Sequence, residues 1–358
     1  MTPVGRGEDS VVARAWSALE QIPRVGLAEF PTPLLRMKRL GAALGGLDLW
    51  FKRDDLISFG LGGNKVRGLE FLLGDALARG ADTLVTGAGC QSNHVRATAA
   101  AAAHCGLRCV AVYWGDPPAV IDGNYRLTRL LGAETHFTGD PDRASVDRGI
   151  AEQCARLRAL GRRPYAIPRG GACALGTLGH VLAAREIFLQ CQVQGIEPEA
   201  ILLAAGSGGT HAGWLVGKAL LGYPLALQSI AVSRDAGATI AQIQRLAAEA
   251  ASLLGVSALL AATAPPIVHA GFLGEGYGIP SAKGTDAIRL VARTEGILLD
   301  PTYTGKAMAA LIALRKAGQL PFRSVVFLHT GGEPALFAGD GAWLPDRATS
   351  SPEPSCVL

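Results

Sequence analysis

Three short stretches carry residues able to do chemistry on a carbonyl or an amino acid. The first is Leu61-Gly62-Gly63-Asn64-Lys65-Val66-Arg67, where a glycine turn opens a helix with a lysine in its first turn. The apolar positions Leu69, Leu72, Leu73, Ala76 and Leu77 fall on one face of a 3.6-residue period, and Gly80 is the stop. A cation there opposes the helix dipole, at about 0.3–1 kcal/mol when exposed. Two readings are open: a solvated lysine, or a Schiff-base lysine whose amine is kept neutral by positive surroundings such as Arg67 and the helix terminus.

The second stretch is Ala205-Gly206-Ser207-Gly208-Gly209-Thr210-His211-Ala212-Gly213, which follows an apolar strand and opens a helix. Its backbone N–H groups and the helix dipole converge on one point, which suits an anion; a plain tight turn is the other reading. It lacks the Gly-Lys-Ser/Thr ending of a P-loop and the acidic partner of a dinucleotide site, so a single phosphate monoester fits better than a nucleotide. The third, Gln91-Ser92-Asn93-His94, sets hydroxyl, amide and imidazole at another strand end. One such residue suffices for helix capping, and here there are three. An amine, a phosphate cradle and a polar cluster are together the parts needed to hold pyridoxal phosphate.

The elements that must position these parts alternate. Predicted strands at 47–53, 83–86, 108–113, 134–137, 165–167, 201–205, 229–232 and 324–329 are separated by predicted helices, which argues for parallel sheet with right-handed crossovers and a ligand cleft at the strand ends. A glycine-rich hinge, Arg169-Gly170-Gly171-Ala172, is the candidate domain boundary. The chain has 358 residues, 49% of them hydrophobic and 18% charged, enough apolar material for two α/β units. A net charge of +4 without a basic block speaks against nucleic acid as a partner. Seven cysteines, odd in number and scattered, read as reduced thiols in a cytoplasmic protein. Met1 to Ser10 lacks the apolar core of a signal peptide, and the apolar window 248–264 is interrupted short of a bilayer span, so it reads as buried helix and loop. No membrane association and no metal site are expected, and Ser350 to Leu358 reads as a disordered tail.

Six motifs in constant order resemble the D-cysteine desulfhydrase / 1-aminocyclopropane-1-carboxylate deaminase family: Gly-Gly-Asn-Lys-Val-Arg, Gln-Ser-Asn-His, Gly-Ser-Gly-Gly-Thr-His-Ala-Gly, Gly276-Tyr277-Gly278, Pro301-Thr302-Tyr303-Thr304-Gly305-Lys306 and His329-Thr330-Gly331-Gly332. The resemblance runs from about Phe30 to Phe337. It implies a tryptophan-synthase-β-like fold (fold type II) with two open parallel sheets, a large domain at 1–63 and 172–345, a small inserted domain at 64–171, a tail at 346–358, and a homodimer. It also implies that Lys65 is the cofactor lysine, Asn93 bonds the cofactor's phenolic oxygen, and Gly206, Ser207, Gly208, Gly209 and Thr210 surround its phosphate. Ser92 and His94 would hold the carboxylate of a small amino-acid substrate, with Thr330 nearby, and Tyr277 and Tyr303 would be the active-site tyrosines. Thr304 falls where the family contacts the pyridine nitrogen, a place held by glutamate in the cyclopropane deaminases and by threonine in the desulfhydrases. The expected reaction is therefore α,β-elimination from a β-substituted amino acid, with cyclopropane deamination as the alternative. Gly68, Cys90 and the Tyr113-Trp114-Gly115 strand end depart from the family pattern.

Overall fold

The structure, a computed structural model, describes residues 6–339, so the expectations for 340–345 and for the tail at 346–358 lie outside the described residues. The first stretch of chain contributes Arg6–Gln21 (α1), Leu34–Arg36 (β1), Lys38–Ala43 (α2) and Asp48–Arg53 (β2). The second alternates helix and strand: Lys65–Ala78 (α3), Thr83–Ala88 (β3), Asn93–His104 (α4), Arg108–Tyr113 (β4), Gly123–Leu130 (α5), Glu134–Phe137 (β5), Ser145–Ala159 (α6) and Pro164–Ala166 (β6). The third comprises Ala174–Gln194 (α7), Ala200–Ala205 (β7), Gly209–Leu221 (α8), Ala226–Ala231 (β8), Ala236–Leu253 (α9), Ser257–Ala261 (α10), Ile267–His269 (β9), Ala282–Glu295 (α11), Thr304–Lys316 (α12) and Ser324–His329 (β10).

These strands form two sheets, one ordered β1-β2-β10-β7-β8-β9 and the other β5-β4-β3-β6. Only β1 runs antiparallel, against β2; every other pairing is parallel. Parallel strands need helices on both faces, and the larger sheet shows the consequence residue by residue. Ile201 and Leu203 of β7 pack on the α7–α8–α9 side, while Ala200, Leu202 and Ala204 face α11 and α12. In the smaller sheet Leu84 packs with α3 and α4, and its neighbour Val85 packs with α6.

The predicted alternation is observed, with differences at short or one-sided elements. The segment 34–44 divides into β1 and α2, and β9 is an additional edge strand; three residues are too few to show a period. Leu77, assigned to the buried face of α3, is 41% exposed because it lies at the margin of the apolar stripe. The window 248–264 is helical and then irregular, but it is buried on one side only, through Ala250, Ala251, Leu254 and Val256. Among the described residues no helix is long and apolar enough to cross a membrane.

Candidate active site

Where the carboxyl ends of β3 and β7 approach one another, a cavity of about 330 Å³ opens between the two sheets. Lys65 lies on its wall as the first residue of α3. The turn before it depends on glycine: Gly62 and Gly63 have φ of 69° and 94°, and a Cβ on Gly63 would stand 2.9 Å from the Thr330 carbonyl oxygen, to which the Asn64 amide donates at 3.0 Å. Lys65 Nζ has two distant neighbours, Gly170 O and Ser207 Oγ, both at 3.4 Å. Burial lowers its pKa to about 8, so roughly a tenth of the amine is neutral at pH 7.

Burial, not Arg67, is the cause. The Arg67 guanidinium points away, donating to Asp54 at 2.7 and 2.9 Å and to Glu186 at 2.9 Å, and stacking on Phe30. Lys52 joins Glu186 from β2, and the network ties the start of α3 to β2 and α7. Gly68 belongs to the same docking: a Cβ there would meet Gly176 O of α7 at 2.4 Å. Its departure from the family pattern therefore reflects helix–helix contact.

The second group lies at the start of α4. Ser92 is the cap, its Oγ accepting from the Val95 amide at 3.3 Å while it also lines the cavity. Asn93 lines the cavity; its Oδ1 accepts from Asn124 Nδ2 at 2.9 Å, which orients its amide and leaves Nδ2 without a protein partner among the described residues. His94 is buried, with its pKa lowered to about 3 by burial and by the charge on Lys65. Thr86 donates its hydroxyl proton to Ile167 O, so its oxygen accepts from His94 Nε2 at 3.2 Å. In that tautomer His94 presents Nδ1 as an acceptor, and a carboxylate held nearby must take its hydrogen bonds from other groups.

Across the cavity, Gly206 to Thr210 join β7 to α8. Gly208 is the N-cap residue of α8, in the left-handed region at φ 87°, and no side chain caps the helix. The first amides of α8 are thus free to serve an anion. Thr210 Oγ1 accepts from Asn64 Nδ2 at 2.9 Å, linking this cradle to the lysine turn. His211 lines the cavity; its Nδ1 is paired with Ser229 Oγ at 2.8 Å, and among the described residues its buried Nε2 has no partner. A lysine with only remote neighbours, an uncapped helix on a glycine turn and an unpartnered buried nitrogen fit an aldehyde that carries a phosphate.

Tyr277 and Tyr303 meet hydroxyl to hydroxyl on the third side, and burial raises both pKa values. Gly206 is needed beneath Tyr303, since a Cβ there would lie 3.0 Å from the ring. Thr330 also lines the cavity. Thr304, predicted to contact the cofactor ring, is not brought to the wall: it is fully buried, its hydroxyl donating to Asp300 Oδ1 at 2.7 Å and accepting from the Asp300 amide at 2.8 Å. Asp300 Oδ2 takes the Tyr303 amide at 2.9 Å, so this turn sets the backbone of the tyrosine. Sequence reasoning missed Arg143, Asp147, Arg169, Arg234 and Gln242, which complete the rim. Arg143, Arg169 and Arg234 come from the segments after β5, β6 and β8, where no periodicity signals them, and Asp147 and Gln242 lie near the starts of α6 and α9, where helical periodicity does not say which residues reach a cavity.

Comparison with known proteins agrees with this geometry. The model of the pyridoxal-phosphate dependent enzyme family matches residues 25–331. A D-cysteine desulfhydrase of Serratia proteamaculans is 41% identical over 331 residues, covering 89% of this chain and 97% of its own. A putative 1-aminocyclopropane-1-carboxylate deaminase of Pyrococcus abyssi is 39% identical over 320 residues, covering 89% and 94%. A crystal structure of an ACC deaminase homologue superposes with a TM-score of 0.84 at 37% identity, over 90% of this chain and 96% of that one.

Proposed function

We propose that this chain, which belongs to the pyridoxal-phosphate-dependent enzyme family, is a lyase that eliminates the β-substituent of a small amino acid, in the manner of a D-cysteine desulfhydrase, releasing pyruvate, ammonia and the substituent. The observation that carries this reading is the placement of Lys65 Nζ, enclosed between the uncapped start of α8 and the polar turn of α4 with no close partner. Pyridoxal phosphate, held by Lys65, Asn93 and Gly206 to Thr210, supplies when bound an electron sink that acidifies the substrate's Cα–H. Lys65 would hold the cofactor in the resting protein and, once free as a neutral amine, takes the Cα proton. The Ser92 and Thr330 side chains orient the substrate carboxylate, and His94 packs behind them. Tyr277 and Tyr303, protonated at neutral pH because burial raises both, offer a proton to the leaving group.

Elimination expels its electrons with the leaving group and needs less storage of charge than opening a cyclopropane. Among the described residues, Asp147 is the one carboxylate on the cavity wall, and it is tied to Arg169 at 2.7 Å. A wall with no free carboxylate supports elimination over the second reading, deamination of the cyclopropane amino acid, for which the ACC deaminase likeness speaks. Keto-acid release over D- and L-β-substituted alanines and the cyclopropane substrate tests this. Pyruvate from a β-substituted alanine of one hand is expected; faster 2-oxobutyrate from the cyclopropane would install the second reading. We further propose the division into a large domain at 1–63 and 172–345 with 64–171 inserted, which the two sheets support within the described residues 6–339, and take the protein to be a cytoplasmic homodimer. Light scattering returning the mass of one chain would overturn the dimer.

A further inference from the structure

Two sectors of the cavity have clear uses, the start of α8 for a phosphate and the start of α4 for a carboxylate. The third is walled by Trp114, Arg143 and Tyr277. The Arg143 guanidinium stands 4.7 Å from the Tyr277 ring centroid and 5.9 Å from that of Trp114, and the two rings are 6.2 Å apart. It is half-buried and is held at one corner only, Nη1 donating to Ser233 O at 3.0 Å and, more distantly, to Ser233 Oγ at 3.4 Å. Among the described residues no carboxylate pairs with it, although Arg169 on the same rim is paired with Asp147. Among the described residues Nε and Nη2 have no protein acceptor. Stacking thus fixes the plane of a guanidinium whose remaining donors are free, the arrangement that suits bidentate binding of an oxyanion. Arg234, also half-buried and without a carboxylate, adds to the positive field.

We propose that this wall is a subsite for a tetrahedral oxyanion carried on the substrate's Cβ, so that the lyase acts on alanines bearing a β-sulfonate or β-phosphate. The proposal rests on the elimination reading and specifies its substrate. Lys65 takes the Cα proton, the Cβ–S or Cβ–O bond breaks heterolytically, and the substituent leaves with the bonding pair as sulfite or phosphate. Water then converts the remaining three-carbon enamine to pyruvate and ammonia, and no oxidant or reductant is required. The departing group gains one unit of negative charge as the bond breaks, and the Arg143 fork meets that charge where it develops.

The test measures kcat/KM of the holoenzyme for 3-sulfoalanine and O-phosphoserine, each of both hands, against β-chloroalanine. Release of sulfite or phosphate by the wild type identifies which oxyanion is taken. Arg143→Gln is expected to lower the oxyanion reaction about 100-fold more than that of β-chloroalanine, and Arg143→Lys to recover part of the difference. Equal losses on both substrates, or turnover of β-chloroalanine with neither oxyanion released, overturn the subsite. A binding arm is independent of turnover: 3-sulfopropanoate, titrated calorimetrically, binds Arg143→Gln more weakly than wild type, whereas propanoate does not distinguish them. Indistinguishable binding of 3-sulfopropanoate overturns the proposal even if no β-substituted alanine yields pyruvate, a result that would separately remove the lyase reading.

Discussion

Two helices aim their N-termini into one cavity, and they are built in opposite ways. The start of α4 is closed by the Ser92 hydroxyl, which takes the Val95 amide, and the turn presents side chains. The start of α8 is open: Gly208 caps it with no side chain at all and presents backbone N–H groups. A capped terminus can orient a small group through directional side chains, whereas an uncapped one offers several convergent donors to a multiply charged anion. On the proposed reading, the substrate's carboxylate and the cofactor's phosphate are separated by where each helix places its donors.

The largest effect is expected at the residue between the two termini. Lys65→Ala removes the only amine on the wall of the described residues, so cofactor should no longer be fixed by borohydride and the visible absorbance of the bound form should vanish, while circular dichroism is unchanged. Reducible cofactor on another lysine would end the assignment. Next is Gly208→Val, which forces a branched residue into φ 87° and sets its Cβ 3.2 Å from Gln242 Cγ and 3.4 Å from Ile243 Cγ1. Cofactor affinity should fall by several kcal/mol as steric room and N–H geometry are lost together. An unchanged titration would reduce the open terminus to a simple turn.

A tenfold effect is expected from pH. Burial favours the neutral Lys65 amine and lowers its pKa to about 8, so in cofactor-free protein capture of the aldehyde requires deprotonation first. The capture rate should rise about tenfold per pH unit below 8 and level off above it; a rate that keeps rising to pH 10 would mean the amine is not enclosed. The smallest effect is at the capped end, where Ser92→Ala should cost about 1 kcal/mol of stability and raise KM with cofactor affinity unaltered. Thr at 92 should restore the stability. If Ser92→Ala instead weakened cofactor binding as much as Gly208→Val, the division between the two termini would fail.

Much of this was legible in the sequence because it is local. Strand and helix alternation, the Gly62-Gly63 turn ahead of Lys65, the glycine run at 206–209 and the Ser-Asn-His turn each declare themselves within a few residues, since the backbone conformations and caps they need are set by neighbours in the chain. The short strands β1 and β9 were not legible, because three residues carry no period and only the adjacent β2 and β8 define them. Tertiary structure also decided which side chains reach the cavity. Arg67, two positions from Lys65, is turned into a buried ion network by Asp54 and Glu186, far from it in sequence. Thr304 is held by Asp300 inside its own turn, while its neighbour Tyr303 faces the site. Arg143 owes its place to two rings and a carbonyl contributed by other loops. Local conformation follows from the chain's own sterics and hydrogen bonding, but the direction and charge state of a side chain depend on what packs against it. For Lys65 the sequence determined the turn and the helix that present the amine, and the fold, by burying it between two sheets, determined that the amine titrates near 8.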